Sequence, residues 1–304
     1  MSSPFKVALG GAAGQLGSYV LKHLLQASHP VVVLTRVGSK TTSQLPSSPL
    51  ITVAEVDYAS PDTITPHLNG VHTVIATLGS TSIAAQTGLI SAAASAGVSR
   101  FIPSEFGCDT FAPRVSELPV YGAKVAVQKQ LKALADSQPG FTWTAVLNQA
   151  FLDSGLTNGF IADVPNHKIN LYDGGDTPFS ATRLDTIARA VVGVLSHLEE
   201  TRNRAVYVHD IVTTQNEIVG FAKEADGQSW SVAPVDLTVL REEAYKELGK
   251  EKPDFATAMT GLVRQAAFGK GWGCDFTGKV DNELLGLKGM TKEELKAYVA
   301  SYLN

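Results

Sequence analysis

Apolar residues fall in short runs between glycine, proline and polar turns, and these runs alternate with stretches whose apolar positions recur at helical spacing. Phe5, Val7, Ala8 and Leu9 predict a buried strand just after Pro4. Gly11, Gly14 and Gly17 follow at three-residue spacing, and Tyr19-Val20-Leu21 with Leu24-Leu25 predict a helix. After Pro30 a second strand is expected at residues 31–34, then a polar loop through Pro49, then a strand at 51–56 ended by Asp57. A short helix over 61–68, closed by Gly70, precedes a strand at 71–78. A small-residue helix over 83–96 ends at Gly97, a suitable C-terminal cap. Strands at 100–104 and 141–147 flank an amphipathic helix at 120–136. Strands and helices alternating at about 20- to 30-residue spacing predict a parallel sheet wound right-handedly, with helices on both faces.

Beyond Asn148 the rhythm breaks. Residues 149–182 read as irregular, with Asp173-Gly174-Gly175-Asp176 as a turn. Helices are expected at 185–198 and 214–227, and strands at 205–209 and 230–235, the first returning to the main sheet. From Thr238 onward the chain reads as helical and charge-rich, ending in a helix over 292–303. The expected class is therefore α/β, a Rossmann-type doubly wound sheet with a smaller, mostly helical C-terminal subdomain. Residues 1–150 would form the dinucleotide-binding domain. Residues 151–304 would form an interleaved substrate-binding part over the carboxyl ends of the strands.

Composition narrows the function. In 304 residues, 44% hydrophobic and 18% charged describe an ordinary globular protein, and a net charge of -4 with scattered Lys and Arg speaks against nucleic acid. Two distant cysteines, Cys108 and Cys274, with no C-x-x-C, argue against a disulfide framework or structural zinc and fit a reducing compartment. No two histidines stand at metal-ligand spacing, so no metal is expected. The N-terminus lacks a signal-peptide pattern, and no apolar run approaches the ~20 residues that span a bilayer. The expectation is a cytoplasmic protein without membrane contact; a homodimer is left open.

A strand, a glycine turn and a helix is the setting in which small residues let backbone approach a pyrophosphate and a helix N-terminus offers free N–H groups. The candidate segment is Gly11, Ala13, Gly14, Gln15, Leu16 and Gly17. No Asp or Glu precedes Glu55, and the end of the second strand reads Thr35-Arg36 with Lys40 close behind. A carboxylate there would accept the ribose 2′-OH of NAD, whereas a guanidinium suits the 2′-phosphate of NADP; the alternative is a solvated Arg after a strand. Asp57 reads equally as a contact near the adenine and as a turn former. Thr77, Leu78 and Gly79 close the fourth strand where the cofactor should pass, although glycine there is also common punctuation.

The densest candidate segment is Pro103-Ser104-Glu105-Phe106-Gly107, followed by Tyr121-Gly122-Ala123-Lys124 at a helix start. Lys124 could hold ribose hydroxyls and supply a proton. Tyr121 lies three positions before it rather than the four of the short-chain dehydrogenase pattern, so it is a helper or packing. Glu105 is either a paired structural carboxylate or an acid/base facing substrate, and Asp153 has the same two readings. Phe106, Phe151 and Phe160 are either pocket walls or core.

In this order, GGAAGQLG, Thr35-Arg36, RFIPSEFG and YGAK resemble the NmrA-like, isoflavone-reductase-like family of atypical short-chain dehydrogenases/reductases over about residues 5–155. The resemblance implies NADP(H) binding and Lys124 as the catalytic lysine. It also implies that Asn148-Gln149-Ala150-Phe151 leads into the substrate pocket, with Asn148 at the cofactor side. The leading expectation is an NADPH-dependent reductase of a small, aromatic or secondary-metabolite substrate. Two others are a dinucleotide-sensing regulator without turnover, and a non-redox enzyme that keeps NADPH as structure and uses Glu105 or Asp153.

Overall fold

A computed structural model describes residues 4–303. The first half alternates strand and helix: β1 (Val7–Gly10), α1 (Gln15–Gln26), β2 (Val31–Arg36), β3 (Ile51–Val56), α2 (Pro61–Ile64), β4 (Thr73–Ala76), α3 (Gln86–Ser95), β5 (Arg100–Ile102), α4 (Pro113–Ser116), α5 (Gly122–Ser137) and β6 (Thr142–Leu147). The second half runs β7 (Ala150–Phe151), α6 (Leu152–Gly155), β8 (Lys168–Tyr172), β9 (Phe179–Thr182), α7 (Leu184–Ser196), β10 (Arg204–Tyr207), β11 (Ile211–Thr213), α8 (Gln215–Asp226) and β12 (Ser231–Val235). It ends in α9 (Leu237–Leu248), α10 (Phe255–Phe268) and α11 (Lys292–Ala300).

Seven strands form one parallel sheet in the order β10-β6-β5-β4-β1-β2-β3. Its central strands β1, β2, β4, β5 and β6 are buried on both sides, where helices cover both faces, whereas edge strand β3 is half-exposed. Val7, Leu9, Val31, Val33 and Val146 point to one face, where Leu16, Val20, Leu21 and Leu24 of α1 meet Ile187, Val191 and Val194 of α7. Ala8, Val32, Leu34, Val74 and Phe101 point to the other, against Leu89, Ile90, Val127 and Leu131. As expected, the chain returns to the main sheet: β10 pairs with β6, with Val206 opposite Val146.

The strand order reverses between β1 and β4, which places the glycine turn after β1 at a topological switch point. Buried Arg100, at the opposite edge, donates to Thr142, Thr144 and Thr201 hydroxyls and so ties β5 to β6 and to the loop before β10.

Residues 149–182 are not irregular as expected. They hold β7, β8 and β9, whose partners come later in the chain: β11-β9-β7 make a three-stranded sheet, and β8 pairs in parallel with β12. These small sheets and α8 to α11 enclose a third core around Tyr172, Phe179, Leu262, Phe268 and Leu295. The second half is thus helical with two small sheets.

Candidate active site

The turn between β1 and α1 is built by three glycines under different constraints. Gly11 has φ +85, and a Cβ there would lie 2.5 Å from the Thr77 carbonyl oxygen. A Cβ on Gly17 would lie 2.0 Å from the Gly11 carbonyl oxygen, so helix and strand approach to a distance that only glycine permits. Thr77 fixes the turn from β4: its N–H and its hydroxyl both donate to the Gly10 carbonyl, at 2.8 Å and 2.9 Å. Helix α1 starts at Gly14 with neither a capping side chain nor an acidic residue in its first turn. Its free N–H groups and partial positive charge therefore stand open at the carboxyl edge of the sheet.

A cavity of about 300 Å³ lies over this edge. It is walled by Gly11 to Gly14, by Val33 to Arg36, and by Thr77, Leu78 and Gly79. Gly11, Ala13, Gly14, Thr35, Arg36, Thr77, Leu78 and Gly79 are thus brought to one site. Gln15 opens the helix beside it, and Leu16 is buried in the core under α1.

Two basic-loop expectations separate. Arg36 lines the cavity, whereas Lys40 is exposed and Ser39, Thr41, Thr42 and Leu45 form that wall. Asp57 turns away: its carboxylate accepts from the Ala59 N–H at 2.9 Å, the turn-forming reading. The neighbouring Tyr58 is the residue that sequence reasoning missed. It lines the cavity, its hydroxyl donates to the Leu34 carbonyl at 3.0 Å, and the Tyr58 hydroxyl oxygen lies 2.9 Å from where a Gly10 Cβ would sit. Burial pushes the Tyr58 phenol above the ordinary tyrosine value, with the charge of Arg36 pulling the other way. Glu55, opposite Thr35 in the register, points its carboxylate at the Gly38 N–H (3.3 Å) and is not part of the cavity wall.

Further along the edge, Ser104 links β5 to β4 by donating from its hydroxyl to the Leu78 carbonyl at 2.7 Å. Its own N–H donates to the side chain of buried Gln86. Glu105 follows, fully buried, and each carboxylate oxygen accepts one hydrogen bond, from the Thr110 hydroxyl at 2.7 Å and the Gln128 amide at 2.9 Å, with Lys124 Nζ at 3.7 Å. Lys124, on the first turn of α5, also donates to the Glu105 carbonyl, and its ammonium lies 5.8 Å from the centre of the Tyr121 ring. A lysine ammonium carries three donors, so this arrangement positions it and leaves donor capacity over. Tyr121 is buried against the Cys108 thiol. Burial pushes its phenol well above the ordinary value, with Cys108 and Glu105 adding to the rise.

Asn148 ends β6 fully buried, and its carbonyl accepts from the Thr182 hydroxyl at 2.6 Å. Its neighbour Gln149 adopts φ +55 and bonds the Gly107 carbonyl through its N–H and the Ala267 carbonyl through its side chain, joining the sheet edge to α10. Phe106 and Phe151 are half-buried beside the sheet core. Phe160 instead packs on Phe268 at 5.2 Å, within the third core. Asp153 does not line this cavity: one oxygen accepts from the Leu184 N–H at the head of α7 (2.6 Å) and the other from the Tyr298 hydroxyl (2.9 Å). Among the described residues no group of three or more His, Cys, Asp or Glu could hold a metal, and no helix is long and apolar enough to cross a membrane.

A seven-stranded parallel sheet, a glycine turn at its switch point and an uncapped helix above it define a Rossmann-type protein. More narrowly, the chain belongs to the NmrA-like family, whose model matches residues 5–252. It is 31% identical over 301 residues to the oxidoreductase aprR of Aspergillus flavus, covering 97% of this chain and 98% of that one. It is also 31% identical over 252 residues to the oxidoreductase poxI of Penicillium oxalicum, covering 80% and 77%. In structure it resembles the leucoanthocyanidin reductase of Vitis vinifera in its binary complex with NADPH, with a TM-score of 0.75 at 18% identity over 97% of this chain and 99% of that one.

Proposed function

We propose that the protein is an NADPH-dependent reductase acting on a small organic substrate of the aromatic or secondary-metabolite kind. The observation that carries this reading is the cavity at the switch point, where exposed Arg36 stands at the end of β2 and an uncapped helix lies under three close-packed glycines. The fit to NADP(H) is specific. The glycine cradle would receive the pyrophosphate, Tyr58 and Leu45 border the same cavity, and Arg36 would hold the 2′-phosphate. The oxidoreductase names of the fungal relatives and the NADPH bound by the grape reductase agree with it. Residues 1–150 would hold the cofactor and residues 151–304 would shape the substrate pocket.

When bound, NADPH supplies the hydride. Ser104, Glu105 and Lys124 lie past Gly79 along the same edge, linked by the Ser104–Leu78 bond. Lys124 is poised to offer an N–H donor to the oxygen or ring position on which negative charge grows, and to give it a proton. Glu105 positions that ammonium through its carbonyl and its carboxylate. Phe106 and Phe151 offer apolar contact, and Asn148 is the polar group on the cofactor side.

Glu105 and Asp153 are the residues that a non-redox reaction would need. Both have their carboxylate oxygens taken by protein donors, which favours the reductase reading. The test is stoichiometric. Purified protein is assayed against a panel of phenolic and enone substrates, following NADPH oxidation and product together. One NADPH oxidised per product, with Lys124→Met lowering kcat by about a hundred-fold or more at unchanged NADPH affinity, is expected. Product without NADPH oxidation would sink the reading in favour of non-redox chemistry. Cofactor binding with no turnover on any substrate would favour a sensing role.

A further inference from the structure

A second cavity, of about 480 Å³, lies away from the glycine turn, between the head of α7, the segment before α11 and one face of α11. Three cationic side chains line it: Arg183, Arg189 and Lys288. Arg183 is rigidly held. Asp210, whose side chain is fully buried, takes its Nε at 3.1 Å and its Nη2 at 2.9 Å, and also accepts the Arg183 N–H and the Thr186 hydroxyl. Its guanidinium lies 6.0 Å from the centre of the Tyr298 ring. Arg189 reaches the Gly286 carbonyl at 3.3 Å. The wall between them is fixed by a close approach: a Cβ on Gly289 would lie 2.7 Å from the Asp210 carbonyl oxygen, and the Met290 N–H donates to that same oxygen.

One carboxylate, Glu294, also lines the cavity, and one of its oxygens is engaged by the Thr291 N–H in the capping box of α11. Within the lining three cations stand beside one carboxylate, while behind it Asp210 pairs with Arg183 and the charges of Asp153 and Asp185 act on Arg183 and Arg189, so the cationic groups open to a ligand are Lys288 and the outer edges of the two arginines. Met290, Ala297 and the Tyr298 ring give it an apolar side. Concave, basic on one wall and apolar on the other, it suits a small oxyanion with an organic body more than a protein surface.

We propose that this cavity binds a small metabolite bearing a phosphate or carboxylate group, gripped by Arg189, Lys288 and the free edge of Arg183. The proposal is independent of what the glycine turn holds. The seat is also connected to that edge: Arg183 follows Thr182, whose hydroxyl donates to the Asn148 carbonyl.

Isothermal titration and thermal shift on the intact protein would test it, at constant ionic strength and with sodium chloride as the control. The measurements are made with and without NADP+, so that phosphate seats at the glycine turn are occupied in one arm. Inorganic phosphate and citrate are the probes. Saturable stabilisation by either one, in the millimolar range or tighter and retained with NADP+ present, is expected. Tighter phosphate binding would mark a phosphorylated ligand, and tighter citrate binding a carboxylate. Arg189→Gln with Lys288→Gln should weaken binding by about ten-fold or more. Arg189→Lys should retain part of it, and Glu294→Gln should tighten it. No saturable effect beyond chloride, or wild-type affinity in the doubly substituted protein with an unchanged melting temperature, would overturn the proposal.

Discussion

Gly11, Gly14, Gly17 and Gly79 all border the same edge, yet the space around them differs sharply. A methyl group at 17 would be driven into the Gly11 carbonyl oxygen at 2.0 Å, at 14 it would come to 3.1 Å of that oxygen, and at 79 it would meet nothing within 4 Å. Overpacking of this kind costs about 1–3 kcal/mol. Gly17→Ala is therefore expected to lower the melting temperature and weaken NADPH binding by about ten-fold or more, with Gly79→Ala close to wild type. Thermal unfolding and fluorescence titration check both, and equal effects at 17 and 79 would refute the steric account. At this scale the glycines, Arg36 and Lys124 were legible because each sits at a strand end or helix start that local pattern reveals. Tyr58 was not. It follows a turn-forming Asp, and only the return of the chain beside β2 carries it over Gly10.

The pairing of elements explains what sequence periodicity misses. β7, β8 and β9 are two to five residues long; β7 pairs with β9, and β9 and β8 find their other partners only when β11 and β12 arrive later in the chain. Strands this short carry too few alternations to stand out, whereas β12 is legible at 230–235 despite Pro234, which an edge position tolerates. The same crossing of elements gives Asp153 its role. Its carboxylate joins the head of α7 to Tyr298 of α11, so Asp153→Ala removes a helix N-terminal acceptor and a side-chain hydrogen bond together. A loss of about 2–3 kcal/mol in denaturant unfolding is expected, carried by stability rather than by the chemical step. Loss of turnover at unchanged stability would restore a catalytic role for this residue.

For the whole molecule, the parallel sheet and its helices were legible across the first half, because the central strands are buried on both faces and strand and helix alternate except between β2 and β3. The second half was legible as elements only past residue 182, and not as a pocket, since its walls come from separate segments brought together by the third core. Stability should also respond to pH as a property of the whole fold. Burial holds His72 below the ordinary histidine value of 6.5, with the charges of Arg100 and His29 adding to the effect. Burial likewise lowers His209, against the pull of Asp275 and Asp210. The unfolded chain then takes up protons that the fold resists, so this stability is complete above 6.5 and is lost as pH falls below it toward the folded-state values. The melting temperature should decline through that window, and less steeply in His209→Asn. An identical slope in that variant would remove His209 from the cause.

The central claim is that the switch-point cavity is built for the 2′-phosphate of NADPH, and parallel titrations of the protein with NADPH and NADH test it most directly. Charge-assisted hydrogen bonds contribute about 1.5–3 kcal/mol, so NADPH should bind about ten- to a hundred-fold tighter than NADH. Arg36→Ala should erase most of that difference while leaving NADH affinity unchanged. Equal affinity for the two cofactors in the wild type, or an undiminished preference in Arg36→Ala, would contradict the account.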